Sequence, residues 1–324
     1  MKAMKARDAR LGRLGRFLLV LAAGAVTGTW LAGAAESAPA SDGAINPVVL
    51  SFEIRRGHVM VPARFSETNT TPLSLLLDTG YSMTMLHREH VAALGLKRAG
   101  RITIVGIAGE EPADVFEGPA FDFSGAAWKP RRVAAFPDSS PGRGRRRDGI
   151  LGSGFFRRFV VEIDSRKKQI SLHDPDTYEY KGDGQILPLR FAGNTPVVDA
   201  IVRLPDNSEV TAGFEVDTGC DGCLCVGQPF VTAHHLTPTN SAAGAGANRF
   251  GVGGGTRTHD SHLAQLRLGR LTVARPAANL FLEGSPVDAP QAGHIGWELL
   301  QRFKVIFDYP RRRMILEAPA GFAG

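Results

Sequence analysis

Two Asp-Thr-Gly triplets hold the residues of this 324-residue chain whose types and spacing point to chemistry: Asp78-Thr79-Gly80 and Asp217-Thr218-Gly219. Each closes an apolar run, LSLLL before Asp78 and FEV before Asp217, and the two lie 139 positions apart. One carboxylate at the end of a buried strand is costly. Two in contact cannot comfortably both ionise, so they share a single proton and titrate as a pair. Such a pair suits hydrolysis by activated water: the ionised member takes a proton from the water, and the protonated member polarises the carbonyl under attack. That chemistry calls for no cofactor and no metal. Thr79 and Thr218 carry hydroxyls that can bond from one triplet to the other, while Gly80 and Gly219 let main chain approach without a Cβ.

The elements that position these groups are written twice. DGILGSGFFRRFVVEID (148–164) follows the first triplet and AGHIGWELLQRFKVIFD (292–308) follows the second. Gly152 corresponds to Gly296, Phe159 to Phe303 and Asp164 to Asp308, each offset by 144. Ile150-Leu151-Gly152 and His294-Ile295-Gly296 are therefore equivalent segments, with Ile150, Leu151, Gly152, Ile295 and Gly296 expected to support the triplets. Between triplet and block each half has a Gly-rich stretch, Val105-Gly106-Ile107-Ala108-Gly109 and Gly251-Val252-Gly253-Gly254. At average residue usage an Asp-Thr-Gly triplet arises roughly 0.1 times in a chain of this length. Two with matched flanks and matched downstream blocks read as a duplicated unit.

Short β-branched or alternating runs bounded by Gly, Pro and Asp, such as HVMVPARF, LSLLLD, FVVEID, PVVDAIVRL and FKVIFD, predict strands. Helical pattern is confined to HREHVAALGL (87–96), a segment near FVTAHHL (230–236), SGFFRRF and WELLQRF. The expectation is an all-β, bilobal chain of two β-barrel lobes with short helices: 45–172, a polar linker at 173–184, and 185–318.

The net charge of +6 does not indicate a nucleic-acid partner. Residues 1–35 hold six basic residues against Asp8 alone, a net +5, which leaves +1 for everything else. That basic start runs into the 19-residue apolar stretch Phe17–Ala35 and the small-residue exit Ala32-Gly33-Ala34. It reads as a secretory signal, or as an anchor if retained, and places the body outside the cytoplasm, periplasmic or secreted. Cys220, Cys223 and Cys225 are an odd cluster, not a disulfide framework, and do not complete a tetrahedral metal set with His234 and His235 nearby. They read as small buried residues on a strand. RGRRR (143–147) and RRR (311–313) read as solvated loop charge.

Asp-Thr-Gly after an apolar strand, followed by Ile150-Leu151-Gly152 and His294-Ile295-Gly296, resembles the pepsin/retropepsin superfamily of aspartic peptidases, with two small retropepsin-like lobes fused in one bacterial-type chain. Aspartic proteases are themselves the standing illustration of a one-proton carboxyl pair. The resemblance implies a peptide cleft between lobes, a psi-shaped loop under Asp78 and Asp217, and a flap, for which 105–109 and 251–254 are the candidates. Tyr81 and Cys220 depart from the family's small residue after the triplet, and Asp221 and Cys223 replace a polar pattern that Ser82 and Thr84 keep. His294 replaces the equivalent Ile150 and reads as packed or solvated, since the mechanism needs no histidine. Asp221 either perturbs the pair or faces solvent. The expected function is an aspartic endopeptidase acting on polypeptide as a monomer, the internal repeat supplying the two-fold axis. The alternative is a non-catalytic peptide-binding module on the same cleft. A glycosidase needs carboxyls flanking a sugar bond, which the symmetric triplets give no reason to expect.

Overall fold

Runs of Leu, Val, Ile and Phe broken by Gly, Pro and Asp become short strands, because alternate side chains enter a core and each break ends the ladder. A computed structural model describes residues 47–66, 72–106, 109–136, 147–236, 247–251, 254–284 and 290–322. The expected leader and anchor, residues 1–35, lies outside the described residues. No helix among the described residues is long and apolar enough to cross a membrane.

Two sheets carry the same strand order. In lobe one the path runs Arg98–Gly106, Gly109–Glu117, Arg132–Ala135, Met85–Leu86, Gly149–Leu151, Leu73–Leu77, His58–Phe65, Phe121–Phe123, Ala126–Trp128. In lobe two it runs Ala247–Gly251, Gly254–His262, Ala277–Phe281, Leu224–Val226, Gly293–Gly296, Glu209–Asp217, Thr195–Arg203, Gln265–Leu268, Leu271–Ala274. The architecture is bilobal and mostly β, as expected, but the lobes are not closed barrels. Among the described residues each path ends in two unjoined edges, a glycine-tipped hairpin at one and a short hairpin at the other.

A third sheet spans both lobes, a feature not expected from the sequence. Its order is Val48–Ser51, Gln169–His173, Val160–Asp164, Lys304–Asp308, Arg313–Glu317, Gln185–Pro188. The lobes meet in the antiparallel pair Val161↔Phe307, Glu162↔Ile306, Ile163↔Val305. Under the 144-residue offset, Val161 faces the equivalent of Ile163 and the reverse, so the junction is itself two-fold symmetric. Phe156 packs edge-on against Phe307 and stacks on Tyr309, each with centroids 5.4 Å apart, which ties the lobe-one helix to lobe two. Residues 174–184 carry no helix or strand and connect the halves.

The helices are shorter than their sequence patterns: Arg88–Ala93, Ser153–Arg158, Gln228–Ala233 and Trp297–Leu300. None has a side-chain cap at its first turn. Arg311 and Arg312 are exposed, in keeping with the reading of 311–313 as solvated charge, but two of the three arginines also serve a buried carboxylate. Asp308 is fully buried, and Arg313 Nε and Arg311 Nη1 bond its two oxygens at 2.8 and 3.4 Å. A buried carboxylate requires such partners. Arg147 packs over the Phe136 ring, and 143–146 lie outside the described residues.

Candidate active site

Each triplet sits where a buried strand stops and the chain turns back beneath the sheet. Leu73–Leu77 is buried apart from Ser74, and the Asp78 amide leaves it by donating to the Leu151 carbonyl, 3.1 Å. Gly149–Leu151 lies parallel to Leu73–Leu77 and antiparallel to Met85–Leu86, so the loop 78–84 passes between two of its neighbours. In lobe two Gly293–Gly296 does the same for Glu209–Asp217 and Leu224–Val226. Ser153 and Trp297, at the start of equivalent helices, donate amides to the carbonyls of Tyr81 (2.9 Å) and Cys220 (2.8 Å). A Cβ on Gly152 would lie 2.8 Å from the Tyr81 oxygen, and one on Gly296 2.8 Å from the Cys220 oxygen, so both positions exclude a side chain.

These loops bring the two triplets together. The Thr79 amide donates to Thr218 Oγ1 and the Thr218 amide to Thr79 Oγ1, both at 3.0 Å. Thr79 Oγ1 donates in turn to the Val216 carbonyl (2.6 Å) and Thr218 Oγ1 to the Leu77 carbonyl (2.8 Å). Both threonines are wholly buried, so these four bonds lock one lobe to the other out of water. The Gly80 amide donates to Asp78 Oδ1 (3.0 Å) and the Gly219 amide to Asp217 Oδ1 (2.8 Å). Each glycine faces the opposite carboxyl: a Cβ on Gly80 would lie 2.7 Å from Asp217 Cγ, and one on Gly219 would overlap the Asp78 carboxyl.

The two carboxyls differ electrostatically. Burial pushes Asp78 well above the ordinary carboxylate range, and the charge and hydrogen bond of Asp217 add to it, against Arg147 and the Gly80 amide. Burial pushes Asp217 up as well. The His294 charge, hydrogen bonds with His294 and Asp78, and the Gly219 amide more than offset this and leave it below its ordinary value. One member favours the proton and the other its loss.

His294 and Glu215 are site residues that the sequence reading missed. His294 is not simply packed or solvated: Nδ1 lies 3.1 Å from Asp217 Oδ2 and Nε2 3.4 Å from Glu215 Oε2. A signal was available in Glu215, two positions before Asp217 on one strand and hence on the same face. Cys220 Sγ is 3.2 Å from Cys225 Sγ, and all three cysteines are free. Bonding to Cys225 and burial hold the Cys220 thiol well above its ordinary range, and burial pushes Cys223 up to about 11. Asp221 is exposed and backs onto Gly57.

Tyr81 packs against a buried cluster of Met60, Leu76, Met85, Ile104, Ala113, Ala134, Phe136 and Ile150. Ile104 and Ala113 belong to the hairpin Arg98–Gly106/Gly109–Glu117, so Tyr81 ties the triplet loop to that hairpin. Of the flap candidates, the backbones of Val105, Gly106 and Gly109 lie at this hairpin's end with Gly106 opposite Gly109, and Gly251 pairs with Gly254 at the end of the equivalent one. Ile107, Ala108, Val252 and Gly253 lie outside the described residues. His234 packs at a tilt against Phe230 of the helix before it, ring centroids 4.3 Å apart. Glu89, His90 and Asp148 gather three potential metal-ligand atoms, yet Asp148 is already engaged by His90 Nε2 (2.9 Å) and the Ser74 amide (2.6 Å).

Residues 61–155 match a family model described as aspartyl protease, a span that holds both the first triplet and Ile150-Leu151-Gly152. The chain is similar in structure to the crystal structure of an aspartic proteinase from Irpex lacteus, with a TM-score of 0.54 and 12% identity over 85% of this chain and 98% of that one. No curated protein matches it in sequence. The family match lies within the first lobe, and the structural likeness, which extends over both lobes, is one of fold.

Proposed function

We propose that the chain is an aspartic endopeptidase whose catalytic pair is Asp78 and Asp217, acting on polypeptide held between the lobes. The observation that supports this most is that each carboxyl lies against the glycine of the opposite triplet, fixed by the amide of its own glycine and clamped by reciprocal threonine bonds. Water held by the pair loses a proton to one carboxylate while the other carboxyl donates to the peptide oxygen. Rigid placement matters, since misplacement by about 1 Å can cost about a hundredfold in rate. The hairpin ending at Gly106 and Gly109 is the flap in this reading, and Tyr81 at its base couples it to the triplet loop.

The two lobes descend from one duplicated unit, which their shared strand order and matched triplets favour. Residues 1–35 export the chain, and the body works as a monomer outside the cytoplasm. The test is digestion of unfolded casein between about pH 3 and 8 by the wild type, Asp78→Asn and Asp217→Asn. Cleavage by the wild type alone is expected. Peptide binding without cleavage at any pH would instead favour a binding module.

A further inference from the structure

Behind each triplet a row of side chains crosses the sheet, one from each neighbouring strand in matched register. In lobe one the row is Ala134, Met85, Ile150, Leu76 and Met60, all buried in one apolar cluster. In lobe two the same row is Asn279, Cys225, His294, Glu215 and Val197. The strand order and pairing are the same in both, so the backbone alone does not demand polar groups there. His294 stands at the centre with a side chain only 11% exposed and each ring nitrogen facing a carboxylate, Asp217 at 3.1 Å and Glu215 at 3.4 Å. A neutral imidazole has one N–H and can serve only one of them; the doubly protonated ring serves both.

We infer that His294 is a positioning residue that decides which carboxyl holds the proton of the pair: as a buried imidazolium bridging Asp217 and Glu215, it keeps Asp217 ionised and leaves the proton on Asp78. This rests on the peptidase reading above. The roles follow. As the water oxygen bonds to the peptide carbon, a water proton passes to Asp217 and the Asp78 proton passes to the carbonyl oxygen, giving a gem-diol. As the C–N bond breaks, Asp217 returns its proton to the amine nitrogen, and a gem-diol hydroxyl gives its proton back to Asp78. The pair ends as it began.

The groups facing His294 are Glu215 and Asp217 from one neighbouring strand, Cys225 from the other, and Cys220, hydrogen-bonded to it from the turn between. Asp78 is reached through Asp217, with Arg147 and Tyr81 beyond. Burial alone would lower His294; the charge of Asp217 and bonds to Asp217, Cys220 and Glu215 raise it well above the ordinary histidine value.

The first experiment is the pH profile of kcat/KM for His294→Ile, which copies lobe one, and for His294→Asn, which keeps an N–H donor without the charge. The acidic limb should move up by about one pH unit in His294→Ile, with His294→Asn between it and the wild type. A uniform fall in rate with an unmoved midpoint would overturn the inference. The second needs neither catalysis nor a His294 variant: 15N spectra of the imidazole, with thiols kept reduced. Both ring nitrogens should be protonated at neutral pH. The ring's titration should fall by about one unit in Asp217→Asn and not in Asp78→Asn. A neutral ring at neutral pH, or equal responses to the two substitutions, overturns the inference even if casein is cleaved. The expected spectra in a protein that cleaves nothing would uphold the bridge and reject only the peptidase reading.

Discussion

The carboxyls of Asp78 and Asp217 and the ring of His294 are all buried, so their protonation also sets how stability varies with pH. Asp217 has a depressed folded value: its contribution is present above the ordinary carboxylate value near 3.8 and is lost as pH falls through the lower folded value. Asp78 and His294 have raised folded values. The His294 contribution is full below about 6.5 and disappears as pH rises through its folded value, and that of Asp78 disappears in the same sense. Summed over these three groups the urea midpoint should therefore peak at about pH 4 and decline on both sides, and His294→Ile should flatten the decline above about 6.5. A midpoint climbing steadily into the alkaline range would contradict these assignments. The triplets were legible because their residues adjoin in sequence and recur. The bridge through His294 was not, because it is made across strand register: His294 lies 77 positions from Asp217 and meets it only once Gly293–Gly296 lies beside Glu209–Asp217.

At the scale of elements, the two triplet loops stabilise each other rather than standing alone. Thr218→Val removes a hydroxyl that accepts the Thr79 amide and donates to the Leu77 carbonyl, leaving buried groups unpaired. It should cost about 2 kcal/mol in chemical denaturation. Adding Thr79→Val should cost clearly less than a second independent loss, because the bonds are reciprocal. Tyr81→Ala should open a void beneath the hairpin Arg98–Gly106/Gly109–Glu117, costing about 3 kcal/mol and raising KM more than it lowers kcat. Strand identity was readable from alternation and breakers. Helix length was not, since six-residue helices such as Arg88–Ala93 are set by what they pack on rather than by a periodic pattern. The role of RRR at 311–313 also escaped the sequence, because the charge it serves, Asp308, is buried by the sheet that the two lobes share.

For the whole molecule, the shared sheet and the Phe156–Phe307–Tyr309 contact make the two lobes one packed structure. Unfolding should accordingly be a single transition, and Phe156→Ala should lower its midpoint by an amount corresponding to about 3–5 kcal/mol without splitting it in two. Two separate transitions would show that the lobes fold independently. The shared sheet was invisible in the sequence because its strands come from both ends of each half, from Val48–Ser51 to Arg313–Glu317. The central claim, that Asp78 and Asp217 act as one catalytic unit, is tested most directly by initial rates of casein cleavage for Asp78→Asn, Asp217→Asn and the double variant. Each single substitution should cost at least about a hundredfold, and the double should be no slower than either alone. Substantial activity in one single variant, or a further loss in the double, would contradict it.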